Sequence, residues 1–305
     1  MKTRMIAILC VILFTLTTCF AQMKKYSYTN MVLKQVEFSI VTIFIDKKTK
    51  DTLKIEGELK VNTIIDGVMC KGNVTLDSTG KLVKFTLAEA HNFSGRTFPK
   101  ESIVRIGIDL QSRTDINSFQ RYFAIRDARI RILNMCIFPS DQLINGIKCA
   151  GNEEVFFNSD WELAGCILGE ADTIAGIVFP ENTFVRFNKD STICAFCLTD
   201  PELQGYHCSG SDYNSGMWMG GGGIFLYPNG RLKYFQPVDT VNIDGVLVRP
   251  SSVRGGVYLH ENGKLKACTS GKDQVVQEVY CGEKYRMKFD ENGKLIYSEK
   301  EKIFD

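Results

Sequence analysis

Tyr227-Pro228-Asn229-Gly230-Arg231-Leu232, His260-Glu261-Asn262-Gly263-Lys264-Leu265 and Asp290-Glu291-Asn292-Gly293-Lys294-Leu295 are three versions of one phrase. Each stands between two apolar, strand-like stretches, and Asn-Gly supplies the positive φ that a tight hairpin turn requires. An apolar residue precedes each turn and another follows six positions later. The same spacing recurs in Leu76/Leu82, Phe157/Leu163 and Phe187/Ile193, so six copies keep one length. Three of them have lost the Asn-Gly, as in Asn158-Ser159-Asp160-Trp161, but keep polar turn formers.

Working outward, an apolar or Cys position follows most hairpins by three residues: Phe85, Cys166, Phe196, Phe235 and Cys268. Thirteen residues further on stand Phe98, Phe179, Val248 and Cys281, with Cys208 twelve on. Between them runs a loose pattern of apolar, acidic, apolar, Gly, as in Leu168, Asp172, Ile174 and Gly176. Cys136, Leu143, Gly146 and Cys149 fit the frame without the acid. The register points 57, 85, 136, 166, 196, 235, 268 and 298 are 28, 51, 30, 30, 39, 33 and 30 residues apart. The gap of 51 reads as a degenerate unit, with Asp115-Ile116 its remnant.

Each unit carries about three short strands with period-two alternation, as in Val257-Tyr258-Leu259. One hairpin is marginal in water, so stacking must bury the shared apolar face. The expectation is an all-β, elongated array of stacked β-hairpin repeats, a flat sheet or a β-solenoid, with about seven to eight units of roughly 30 residues over 57–298. Residues 22–56 read as an N-terminal β cap, with a strand over Val36 to Ile45, a turn at Lys47-Lys48-Thr49-Lys50 and a strand from Leu53. Residues 299–305 read as a C-terminal tail, and only Asn117 to Arg131 could be briefly helical.

The block apolar-x-apolar-x-x-Asn-Gly-Lys-Leu resembles the hairpins of MORN-type repeats. It is also similar to the tandem repeats labelled as toxin–antitoxin components in many bacterial proteins, and to repeats in exported bacterial proteins of unknown function. The resemblance spans about residues 55–300. It implies a β-hairpin array used for interaction or surface structure and carries over no catalytic residues.

The start of the chain addresses the compartment. Residues 1–21, MKTRMIAILCVILFTLTTCFA, join basic Lys2 and Arg4 to an apolar run too short to span a bilayer comfortably. Cys19 and Ala21 place small residues before a cut at Gln22, the pattern of a secretory signal peptide. The expected location is the periplasm, outer membrane or cell surface, or secretion. Leu16-Thr17-Thr18-Cys19 also reads as a loose lipobox, in which Cys19 would carry a lipid anchor.

Charge excludes one large class. The chain has 37 Lys and Arg against 35 Asp and Glu, and the two basic residues of the leader fall outside the remainder, which is neutral. Nucleic-acid binding rests on excess basic charge and is not expected. At 44% hydrophobic and 24% charged residues the chain is globular.

Nine cysteines follow the leader. In an exported chain that suggests disulfides, and Cys136/Cys149 and Cys268/Cys281 occupy both marked positions of their frames. Cys208 could join Cys197 or Cys194. Other frames carry Phe or Val at those places, so core packing is the competing reading. Cys194-Ala195-Phe196-Cys197 has redox or zinc spacing but lies on a strand without a second ligand pair.

No chemistry announces itself elsewhere. His91, His207 and His260 fall at different register positions. There is no Gly-x-Ser-x-Gly elbow and no His-Glu-x-x-His. Gly220–Gly223 lacks the Lys and helix of a phosphate cradle. Carboxylates such as Glu153-Glu154 are not singled out by spacing. The Gly-rich loop 209–223 carries Tyr213 and Trp218, the expected partner-binding residues. The sequence thus points to a non-enzymatic envelope or cell-surface scaffold with no cofactor and a protein or glycan partner. Its rivals are a hydrolytic, carbohydrate-active β-protein with dispersed acids and a purely structural envelope component.

Overall fold

The computed structural model describes residues 23–109, 132–187, 193–210, 223–250 and 256–300. Every regular element among them is a β-strand. Of the described chain, two compact bodies form: residues 23–107 with 134–139, and residues 108–109, 132–133 and 140–300. In the first body, strands Met23–Leu33, Val36–Asp46, Thr52–Leu59, Val68–Asp77, Leu82–Leu87 and Ile103–Asp109 pair antiparallel in that order. Ile103–Asp109 then pairs with Ile132–Ile137. In the second body the ladder runs through Glu154–Phe157, Leu163–Ile167, Phe184–Phe187, Ile193–Phe196 and Ile224–Leu226. It continues through Leu232–Phe235, Val257–Leu259, Leu265–Thr269, Tyr285–Phe289 and Leu295–Lys300.

The repeat holds four strands, not three. Two join the main sheet as a sheet hairpin. Two more form a small side hairpin, as in Asp172–Ile174 with Ile177–Phe179 or Val241–Ile243 with Val246–Val248. Strands of three residues are too short to display alternation, which is why the pattern of apolar, acidic, apolar, Gly did not announce a hairpin. Its turn is the mirror-image type that matches strand twist, with both central residues left-handed. Asp66 and Gly67 have φ of 51° and 79°, and Asp244 and Gly245 have 51° and 82°.

The sheet hairpins turn differently. At Tyr227 to Arg231 the Gly230 N–H donates to the Tyr227 carbonyl (2.9 Å) and the Tyr227 N–H to the Arg231 carbonyl (2.8 Å). Only the glycine is left-handed, with φ of 79° at Gly230, 87° at Gly263 and 85° at Gly293. The register shifts at Phe225/Leu226, Tyr258/Leu259 and Lys288/Phe289, which marks a bulge. The Asn contributes its side chain: Asn229 Oδ1 accepts from the Arg231 N–H (3.0 Å) and Asn262 Oδ1 from the Lys264 N–H (3.0 Å). In the Asn158 hairpin Trp161 takes the glycine's place, at φ 62°.

The marked positions form the interior. Cys70, Phe85, Phe98 and Cys136 are buried in the first body. Cys149, Cys166, Phe179, Ala195, Cys208, Phe235, Val248, Cys268 and Cys281 are buried in the second. Ala195, rather than Phe196, holds the register, because Val185 pairs with both Cys166 and Ala195. No shift separates Arg186/Cys194 from Phe187/Ile193, so this hairpin lacks the bulge and reaches its marked position one residue early. The apparent twelve-residue step to Cys208 is therefore the usual thirteen.

On either side of the gap of 51, Ile103–Asp109 pairs with Ile132–Ile137. Asp115-Ile116 and the expected helical stretch lie outside the described residues, as do the leader and Cys19. The expected cap strand at Val36 is present as Val36–Asp46, and the final strand Leu295–Lys300 takes in the start of the expected tail.

Candidate functional site: the outward face of the side hairpins

Side-chain hydrogen bonds tie the side hairpins that turn at Asp66, Gln204, Asp244 and Gln277 to the repeat that follows. Asp66 Oδ2 accepts from the Leu82 N–H (2.9 Å), Asp244 Oδ2 from Leu265 (2.8 Å) and Gln277 Oε1 from Leu295 (2.8 Å). Gln204 grips both sides of the next turn, accepting from the Leu232 N–H (3.2 Å) and donating to the Gly230 carbonyl (2.8 Å). Neighbouring side hairpins also meet directly. Gln274 accepts from the Leu247 N–H (3.0 Å) and donates to its carbonyl (2.8 Å), and Arg249 pairs with Glu283 at 3.1 Å.

The sheet turns form a second ladder. Tyr227 donates its hydroxyl to the Leu259 carbonyl (2.9 Å), and Asn229 Nδ2 donates to Glu261 Oε1 (3.2 Å). One repeat on, Asn262 Nδ2 donates to the Glu291 carbonyl (2.8 Å) and Lys264 Nζ to that of Asn292 (2.9 Å). Within the second body, from Gln204 to Leu295, two rows of contacts thus tie successive hairpins together.

This rigid setting displays large apolar side chains. In the side hairpins whose first strands end at Ile65, Ile144, Ile174, Ile243 and Val276 that last residue is buried, and the middle cross-strand pair faces away from the sheet. In the second body those outward places hold Leu143 (75% exposed), Val178 (65%), Val275 (70%) and Tyr280 (60%), beside the polar Lys148, Thr173 and Asn242. In the first body Ile64 (63%) takes the equivalent place. Single exposed apolar residues are ordinary, but recurrence at one place of a repeat marks a face. An open recess of about 480 Å³ lies beside that face, between Ala175–Val178, Glu202–Gln204 and Asn229–Arg231. Sequence reasoning missed the face because it rests on the side hairpins. The loop residues Tyr213 and Trp218 lie outside the described residues.

The cysteines are interior residues. All nine are buried free thiols, so neither Cys136/Cys149 nor Cys268/Cys281 is bridged in the structure. Cys136 belongs to the first body and Cys149 to the second, where it lies against Cys166. Cys268 does neighbour Cys281, but Cys281 Sγ contacts Ser298 Oγ at 3.2 Å. Burial pushes the Cys70, Cys208 and Cys268 thiols up to about 12, which makes them poor nucleophiles. Cys194 and Cys197 are both buried, and Cys197 Sγ accepts from Thr183 Oγ1 at 3.8 Å.

The other chemical candidates stay apart. His91 rests against Phe93 with ring centroids 4.6 Å apart, and His260 Nε2 meets the Phe289 carbonyl at 2.9 Å. His207 is exposed on its side hairpin. Buried polar residues among the described ones are Ser102, Asn134, Thr183, Thr269 and Ser270, with no ionised side chain among them. Among the described residues no group of three or more His, Cys, Asp or Glu is placed to hold a metal.

The fold defines a tandem β-hairpin repeat protein. No protein-family model matches the chain, and no curated protein matches it.

Proposed function

We propose that this chain is a non-enzymatic, exported repeat protein that acts as an interaction scaffold in the cell envelope or at the cell surface. The observation that carries the reading is the exposure of Leu143, Val178, Val275 and Tyr280 at outward places of the side hairpins of the second body. A face of regular spacing and rigid backbone suits an extended protein or glycan ligand, because little ordering entropy is lost on its side of the contact. The charge-free leader run and the neutral remainder agree with export and with a partner that is not a nucleic acid.

Site-specific photocrosslinking in cells tests this. A benzophenone side chain at Val178 or Val275 should capture one defined envelope component. The same label at Lys54, on the main sheet, should not. Fractionation with intact-mass analysis of the mature N-terminus reports export in the same cells. Capture at neither outward position, with the chain found in the cytoplasm, rejects the proposal.

A further inference from the structure

We propose that Asn292 is a site of intramolecular deamidation, in which the Gly293 nitrogen attacks the Asn292 side-chain amide, and that Asn229 and Asn262 are protected from the same reaction. The three Asn-Gly pairs stand in sheet turns of one geometry, and all three asparagines are exposed. In each, the glycine N–H donates at 2.9 Å to the first residue of the turn, at the carbonyl of Tyr227, His260 or Asp290. A following residue without a Cβ leaves its nitrogen open to the asparagine Cγ in every case. Asn145-Gly146 lies instead in a mirror-image side-hairpin turn, where the asparagine itself is left-handed at φ 54°.

The three sheet turns part company at their first residue. Tyr227 and His260 offer no short side-chain acceptor, so Asn229 Oδ1 accepts from the Arg231 N–H and Asn262 Oδ1 from the Lys264 N–H, both at 3.0 Å. Their Nδ2 groups donate onward to the next repeat, to Glu261 Oε1 (3.2 Å) and to the Glu291 carbonyl (2.8 Å). Each amide is thus clamped at both ends. In the last turn Asp290 takes the acceptor role, receiving the Asn292 N–H (2.9 Å) and the Lys294 N–H (2.8 Å) on Oδ1. Among the described residues the Asn292 side-chain amide is left without a hydrogen-bond partner. The nucleophile differs as well. Lys264 Nζ donates to the Asn292 carbonyl at 2.9 Å, the oxygen conjugated to the Gly293 nitrogen. A cation there favours the deprotonated, anionic form of that peptide group.

The step needs water and no oxidant or reductant. The Gly293 nitrogen loses its proton and bonds to Asn292 Cγ. The Cγ–Nδ2 bond breaks, and the amide nitrogen takes up one proton and leaves as ammonia. The cyclic imide that remains adds one water at either carbonyl. Opening at one gives aspartate at position 292, and opening at the other gives isoaspartate, in which the main chain runs through Cβ. Holding nucleophile and electrophile on adjacent residues makes the attack intramolecular, so local release of the amide is enough to start it. Isoaspartate lengthens the turn that the Gly293 N–H and Asp290 carbonyl close.

The test incubates the full mature chain, folded, in mildly alkaline buffer and maps its peptides by mass over time, with isoaspartate read separately. Position 292 should convert roughly tenfold faster than 229 or 262, the factor expected from two side-chain hydrogen bonds that must break first. Lys264→Met keeps the backbone N–H that Asn262 accepts and should slow conversion at 292 several-fold. Glu261→Ala removes the acceptor of Asn229 Nδ2 and should speed conversion at 229 while leaving 292 unchanged. In denaturant the three positions should convert at similar rates. Equal rates in the folded chain, earlier conversion at 229 or 262, the same ranking in denaturant, or a rate at 292 indifferent to Lys264→Met would overturn the proposal. Because the assay needs neither a partner nor a location, its failure leaves the scaffold reading untouched.

Discussion

Asp244, in the turn of one side hairpin, accepts the backbone N–H of Leu265 in the next repeat at 2.8 Å. The contact satisfies a donor that the bulge leaves outside the ladder, and it crosses from one repeat to the next. Asp66, Gln204 and Gln277 make the same bond to Leu82, Leu232 and Leu295. Asp244→Ala should lower stability by about 1–2 kcal/mol, because it orphans a half-buried N–H. Asp244→Asn keeps an acceptor oxygen and should cost well under half of that. Urea unfolding of the two variants checks the difference.

Gly230 and Gly263 have similar left-handed backbones, with φ of 79° and 87°. A Cβ at Gly263 would meet nothing within 4 Å, whereas one at Gly230 would run into the Ala175 carbonyl oxygen. Gly263→Ala should therefore cost only the conformational penalty, about 1 kcal/mol. Gly230→Ala adds a backbone collision and should cost at least about 2–3 kcal/mol. Equal losses in thermal unfolding would show that the Ala175 turn does not press on Gly230.

Trp161 pays left-handed strain at φ 62° where the related turns place glycine. Its ring is buried, with its centroid 5.7 Å from that of Phe157. Trp161→Gly relieves about 1–2 kcal/mol of strain but removes packing worth about 3–5 kcal/mol. The variant should be less stable by roughly 2–3 kcal/mol, despite restoring the usual turn residue. A stability gain would mean the ring contributes little.

Burial would raise the Asp77 carboxyl, but the Thr79 hydroxyl and the N–H groups of Lys81, Thr79 and Gly80 outweigh it and hold it below its ordinary 3.8. A carboxyl lowered on folding contributes stability that is complete above its unfolded value and lost as pH falls through the folded one. Asp77→Asn should flatten the acid limb of the stability curve below about pH 4. Stability of wild type and variant that falls in parallel across that range would contradict it.

Part of this architecture was legible because burial is written at fixed spacing. Phe85/Phe98, Phe235/Val248 and Cys268/Cys281 each stand thirteen apart, and all six are interior. A position that accepts Phe, Val and Cys is specified by exclusion of water rather than by chemistry, which is why the cysteines read ambiguously. The side hairpins escaped notice because three-residue strands carry too few alternations, and Ala175 or Gln204 conceals the turn that Asp-Gly declares at Asp244. The first strand, Met23–Leu33, is exposed along most of both faces, so it has no apolar period to find. Phe196 misled because a missing bulge moves the register by one residue without changing the apolar character of the stretch. The outward face could not be read at all until the side hairpins existed as hairpins.

The central claim is that each repeat owes its stability to its neighbours. Phe235, fully buried, pairs through the backbone with Val257 of the next repeat and packs at 5.0 Å, centroid to centroid, on Tyr206. Amide hydrogen exchange on Phe235→Ala tests that claim most directly. The predicted result is loss of protection in Val257–Leu259 and Tyr206–His207 as well as in Leu232–Phe235, following a cavity cost of about 3–5 kcal/mol. Protection lost in Leu232–Phe235 alone, with the flanking strands exchanging at wild-type rates, would contradict it.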